Sequence, residues 1–115
     1  MDNYPVRSSI KFWSEGDRPR EKLLLKGKAS LSDAELIAIL LGSGTRNESA
    51  VDLSKRILNS VSNNLVELSR LTVSDLQKFK GIGQAKAINL VAAMELGRRR
   101  RGAEALERKT IRSSQ

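Results

Sequence analysis

Residues 76 to 91 read Leu-Gln-Lys-Phe-Lys-Gly-Ile-Gly-Gln-Ala-Lys-Ala-Ile-Asn-Leu-Val, and this stretch leaves the chain few ways to fold. Leu76 and Phe79 fall at helical spacing before a Gly-Ile-Gly, and Ala87, Leu90 and Val91 fall at helical spacing after it. Gly81 stands where the first helix ends, so it can adopt the left-handed conformation that closes the last turn. Ile82 then points back between the two helices and pins them. Gly83 carries no Cβ to hold a ligand away from the backbone. The amides of residues 83 to 86 sit at the start of the second helix, where unpaired N–H groups and the positive end of the dipole suit a phosphate oxygen. Lys86 adds a full charge one turn in, and Ala87 is small enough for a close helix crossing. The pattern is that of a helix-hairpin-helix, a module that often holds a nucleic-acid backbone without reading bases. A tight corner between helices, with no ligand or with a protein partner, is the plainer reading of the same residues.

Charge favours the first reading. The chain has 115 residues, with 21 Lys and Arg against 13 Asp and Glu, a formal charge of +8. An excess of this size favours a polyanionic partner. At this length the chain is one small domain, with or without tails. It has no cysteine and no histidine, so neither a disulfide framework nor a zinc site is expected, and no cofactor is implied. No apolar run approaches the roughly 18–20 residues of a membrane span, and the N-terminus lacks an apolar signal core. The chain therefore reads as cytoplasmic, with no membrane partner.

Along the chain, residues 1–16 read as an extended arm carrying Tyr4, Phe12 and Trp13. Packing of Phe12 and Trp13 on a helical core is favoured over stacking of Trp13 on a base, because no second platform residue is evident. Asp17-Arg-Pro-Arg-Glu opens a first helix, with Pro19 in its first turn and Leu23, Leu24 and Leu25 on its inner side. Ser32 and Glu35 form a capping box for a second helix reaching about Leu41, with Leu36, Ile37, Ile39, Leu40 and Leu41 turned inward. Ser49, Asn64 and Thr72 mark three further helix starts, the last for a helix over residues 73–80. The final helix is expected from Gln84 to about Arg100, and residues 102–115 read as a mobile tail or linker. The globular part is thus residues 17–101.

Ile39-Leu-Leu-Gly-Ser-Gly precedes a helix much as Phe79-Lys-Gly-Ile-Gly precedes the last one. This reads as a degenerate first hairpin, with Ser43 in place of the central apolar residue and a longer loop. Gly44, Thr45 and Arg46 would be its phosphate contacts, and a plain surface loop is the competing reading. Arg98, Arg99, Arg100 and Arg101 suit a helix C-terminus through the dipole, and they also exceed what that needs. They join Lys78 and Lys80 as secondary candidates for nucleic-acid contact.

Taken together, Asp17-Arg-Pro-Arg-Glu-Lys-Leu-Leu, Leu31-Ser-Asp-Ala-Glu-Leu-Ile-Ala-Ile-Leu-Leu-Gly-Ser-Gly-Thr, Ser49-Ala-Val-Asp-Leu-Ser, Gly81-Ile-Gly-Gln-Ala-Lys-Ala and Glu95-Leu-Gly-Arg-Arg resemble the N-terminal part of the RadC family of bacterial proteins, named as DNA repair proteins. The resemblance covers about residues 9–101 with its motifs in order. It implies an association with DNA repair. In that family the helical part precedes a metalloprotease-like JAB/MPN domain with a His-x-His zinc motif, so this chain resembles an N-terminal domain alone. Without histidine, none of that metal chemistry transfers to a residue here. A glycosylase reading fails as well, because no Asp follows Asp75. A Schiff-base role for Lys86 would need a depressed pKa that an open helix start does not supply.

The expected fold is therefore all-α, five or six short helices with one good hairpin and one degenerate pseudo-repeat. The expected function is sequence-independent DNA binding, without catalysis by this chain, through Gly81, Ile82, Gly83, Gln84, Ala85 and Lys86. The alternative is a protein-interaction module that docks on a JAB/MPN domain or a repair partner. The form of DNA stays open.

Overall fold

Helix starts dominate the local sequence, and each capping residue does its work. The computed structural model describes residues 18–113, with side chains described to residue 109. The arm at 1–16 and the aromatic residues Phe12 and Trp13 lie outside the described residues. Six α-helices follow: α1 Pro19–Lys26, α2 Asp33–Leu41, α3 Ala50–Ser60, α4 Leu65–Ser69, α5 Val73–Gln77 and α6 Gln84–Ser113. A single 3-10 turn, Lys28–Ser30, links α1 to α2, and no strand occurs among the described residues. The Ser32 hydroxyl accepts from the Glu35 amide while the Glu35 carboxylate accepts from the Ser32 amide. Thr72 and Asp75 close the same reciprocal box on α5. Asn64 accepts from two amides at the start of α4, and Ser49 accepts from Asp52 at the start of α3. Each such cap contributes about 1 kcal/mol, which matters most for α4 and α5, each of five residues.

One core joins these short helices. It holds Ile37 and Leu41 of α2, Leu53, Ile57 and Leu58 of α3, Leu68, Leu76, Ile82, and Ala87 and Leu90 of α6. Helix α2 packs on α3 and on α6, and α5 packs on α6, so the two hairpins bury each other's apolar faces.

Three expectations change. Leu24 and Leu25 are 81% and 71% exposed, and Leu36 is exposed as well. Three consecutive leucines span about 200° of a helix, so they cannot share one inner face; Leu23 is the half-buried member. The first hairpin helix is shorter than 73–80, because the chain leaves α5 after Gln77 in tight turns. The last helix does not end near Arg100 but runs 30 residues to Ser113, about 45 Å. Ala103, Glu104, Ala105, Leu106 and Glu107 are good helix formers. Glu104 pairs with Arg100 and with Arg108, one turn to either side, and Gly102 alone does not stop the helix.

Candidate nucleic-acid interface

The two hairpins share one device and then diverge. Gly42 ends α2 at φ +82° and Gly81 ends the turn after α5 at φ +98°, both in the left-handed region that glycine adopts without strain. The Gly42 amide donates to Ala38 O at 3.0 Å, and the Ile82 amide donates to Phe79 O at 3.0 Å. In each hairpin a second glycine follows two residues later, Gly44 and Gly83.

At this second glycine the loops part. A Cβ on Gly44 would overlap the backbone of Glu48, Ser49 and Ala50. The Thr45 amide donates to Glu48 O at 2.8 Å, and the Asn47 amide donates to Thr45 Oγ1 at 3.3 Å. The first loop is thus folded on itself, and two of its amides are used. A Cβ on Gly83 would meet nothing within 4 Å. The first bond of α6 runs from the Ala87 amide to Gly83 O at 3.1 Å. The N–H groups of residues 83 to 86 precede that bond and find no acceptor among the described residues. Gly83, Gln84 and Ala85 are exposed, so these donors face open space. Ile82, 5% exposed, lies in the core beneath them.

The closed loop braces the open one. The Lys86 ammonium donates to Gly44 O at 3.3 Å, so it is half-buried between the loops instead of pointing freely outward. A Cβ on Gly81 would come 2.6 Å from Thr45 Cγ2, which places the two loops in direct contact. Arg56 on α3 donates to Lys80 O at 2.7 Å and makes a two-point bond to the Glu48 carboxylate at 2.8 and 3.1 Å. That bond to Arg56 holds the Glu48 carboxyl below its ordinary range and raises the guanidinium. Asn89 adds a longer link from α6 to Leu40 O, 3.4 Å. Nothing in the sequence singles out Arg56 and Glu48. Their spacing crosses from a loop into a helix and has no periodic signature, so only the fold brings them together.

The cations divide accordingly. Lys80, Lys86 and Arg46 lie on or beside the two loops and form no ion pair among the described residues. Lys78 is exposed and 3.8 Å from Asp75, whose carboxyl is lowered first by its bond to the Thr72 amide. The arginine run lies elsewhere. Arg98 is fourteen residues along α6 from Gln84, about 21 Å. Arg98 and Arg99 both bind Glu95, drawing its carboxyl down to about 2, and Arg100 binds Glu104. These pairs stiffen the helix along its own surface. No group of three or more His, Cys, Asp or Glu able to hold a metal occurs among the described residues, and no described helix is long and apolar enough to cross a membrane.

Comparison with known proteins gives one family. The family description UPF0758 N-terminal matches residues 10–88. A UPF0758 protein of Flavobacterium johnsoniae is 64% identical over 106 residues, covering 92% of this chain and 46% of that protein. Those of Streptococcus thermophilus and Neisseria meningitidis are 47% and 50% identical, over 93% and 79% of this chain and 46% and 40% of their own lengths. The chain thus spans less than half the length of these relatives, and their names state no activity. No solved structure matches the chain.

Proposed function

This chain belongs to the UPF0758 family, the RadC family, and we propose that it binds DNA without sequence preference through the open hairpin. The observation that supports this is the contrast between the two second glycines. Gly44 is filled by its own loop, whereas Gly83 leaves the amides of residues 83 to 86 facing solvent at the positive end of a 30-residue helix. A phosphate oxygen placed there would accept from these N–H groups at the distance a missing Cβ allows. Lys80, Lys86 and Arg46 would surround it with positive charge. Lys86 serves the site by position: its ammonium stays on Gly44 O and lends charge from there. Amide-to-phosphate contacts carry no base information, so sequence preference is not expected. A DNA repair role would follow from the family resemblance, with this chain as the part that holds the substrate and does no chemistry itself.

A salt-dependent titration with labelled duplex, single-stranded and four-way junction DNA tests the reading. Three or so neutralised phosphates give a log–log slope of about −2 to −4 and a dissociation constant on the order of 10⁻⁴ to 10⁻⁶ M. Affinity that does not change with salt would refute it, as would a marked preference for one base sequence.

A further inference from the structure

Midway along α6 a groove of about 490 Å³ opens between α4 and α6. Its floor and walls carry Leu65, Val66, Met94 and Gly97. Leu65 is 43% exposed and Val66 49%, although both sit on a helix whose Leu68 is fully buried in the core. The floor has an unusual member. Gly97 lies inside a helix, where glycine is among the poorest residues, and a Cβ there would meet nothing within 4 Å. Neither a left-handed φ nor a close packing contact requires a glycine at this position. What the missing side chain does is keep the groove open. The rim is basic: Arg70, Arg98 and Arg101 line it, and no Asp or Glu does. Arg70 and Arg98 are held by Glu67 and Glu95 in exposed pairs that a competing carboxylate can exchange, and Arg101 forms no ion pair among the described residues.

We propose that this groove is a docking site for an acidic amphipathic peptide segment of another protein, seated with two or three large apolar side chains against Leu65, Val66 and Met94 and its carboxylates on the arginines. Charge decides the occupant. A second copy of this chain, at +8, would bring like charge to a basic rim. Nucleic acid matches the rim but not the floor, which is aliphatic and offers no aromatic platform for a base. A volume of this size holds a few apolar side chains, with arginines fixing orientation at the edge. The site is independent of the hairpin, since Gly97 stands fourteen residues along α6 from Gly83, about 21 Å.

A displayed library of random 16-residue peptides, selected on the full chain, supplies the probe. The most enriched peptide is then synthesised with a fluorophore and titrated by anisotropy. Enriched sequences should carry net negative charge and at least two large apolar residues three or four apart. Gly97→Leu fills the groove with a better helix former, so circular dichroism should stay unchanged while peptide affinity falls by at least about tenfold. Arg101→Glu should lower it by about fivefold, and Gly83→Asp should leave it unchanged. If Gly97→Leu does not fold, Val66→Glu takes its place, because Val66 is 49% exposed. The proposal is overturned if no sequence is enriched, if the enriched peptides are basic or lack apolar residues, or if the folded filled variant binds them as well as wild type. It is overturned too if Gly97→Leu weakens DNA as strongly as Gly83→Asp does, which would make the groove part of the nucleic-acid surface.

Discussion

Gly83→Asp should separate stability from the proposed DNA binding, because the two are expected to move in opposite directions. Gly83 O accepts the first helical bond of α6, from Ala87 at 3.1 Å, so Gly83 is the residue that caps this helix. Its φ lies outside the left-handed region, and a Cβ would meet nothing within 4 Å. A side chain is therefore accommodated without strain. Aspartate is among the best capping residues, better than glycine by a few tenths of a kcal/mol. Its charge at the positive helix end adds about 0.3–1 kcal/mol. Together these give a gain of about 0.5–1 kcal/mol, or roughly 2–6 °C in Tm for a domain of this size. The same carboxylate would occupy the amides of residues 85 and 86 and repel the phosphate that would otherwise reach them. Binding to duplex DNA should fall at least tenfold, about 1.4 kcal/mol, and the salt slope should shrink by about one unit. Thermal melting followed by circular dichroism and anisotropy at several salt concentrations read the two effects separately. A lower Tm would mean that the cap geometry is wrong. A higher Tm with undiminished DNA affinity would mean that the hairpin amides are not the contact, and the arginines at 98 to 101 would be tested next.

Two further substitutions probe the contact between the loops. Gly81→Ala places a Cβ 2.6 Å from Thr45 Cγ2 at φ +98°, and should destabilise by about 1–3 kcal/mol in denaturant titrations; adding Thr45→Ser should recover only the steric part, and full recovery would show that the backbone conformation is not strained. Glu48→Gln tests the pair with Arg56. Because the folded Glu48 carboxyl is lowered from its ordinary 4.5, the pair's contribution is complete above that value and is lost as pH falls through the lower folded one. The guanidinium is 40% exposed, so screening limits the pair to about 0.5–1 kcal/mol. Melting wild type and variant from pH 7 to pH 3 should show a gap at neutral pH that closes below about pH 4.5; a gap of constant size would assign the effect to something other than ionisation.

What could be read from the sequence was local. Ser32 with Glu35 and Thr72 with Asp75 span three residues, so their geometry follows from helix pitch alone, and both capping boxes form. Ile82 between two glycines was also legible, since an apolar residue in a tight turn has one place to go, and it is 5% exposed. Leu24 and Leu25 are exposed because helical angle, not apolar composition, decides which of three consecutive leucines faces inward. The helix past Arg100 carries no such signal. It has no inward stripe, and its stability comes from propensity and from the Glu104 pairs with Arg100 and Arg108. The destination of Lys86 could not be read at all. Its acceptor, Gly44 O, lies 42 residues away and reaches it only once the two hairpins have packed.

That last contact explains why a chain would keep a hairpin that no longer has an open loop. Gly44 is packed against Glu48, Ser49 and Ala50, and the amides of Thr45 and Asn47 are bonded within the loop. Its groups turn instead to the neighbouring loop. Thr45 supports Gly81, Gly44 O holds the Lys86 ammonium, and Glu48 fixes Arg56 while Arg56 binds Lys80 O. Residues on both sides of Gly83 are thereby anchored from outside their own hairpin. An open loop with unpaired amides is otherwise the kind of segment that moves, and ordering it on binding would cost affinity. Braced in advance, the amides of 83 to 86 would meet a phosphate with that cost already met by folding. Loss of a brace should then weaken DNA binding without touching any contact residue. Arg56→Met keeps the aliphatic stem and removes the bonds to Glu48 and Lys80 O, so it should lower DNA affinity by more than the loss of one distant charge, about one unit of salt slope, accounts for. If affinity falls only by that charge term, with the slope shifted to match, the first hairpin contributes stability alone and the bracing argument fails.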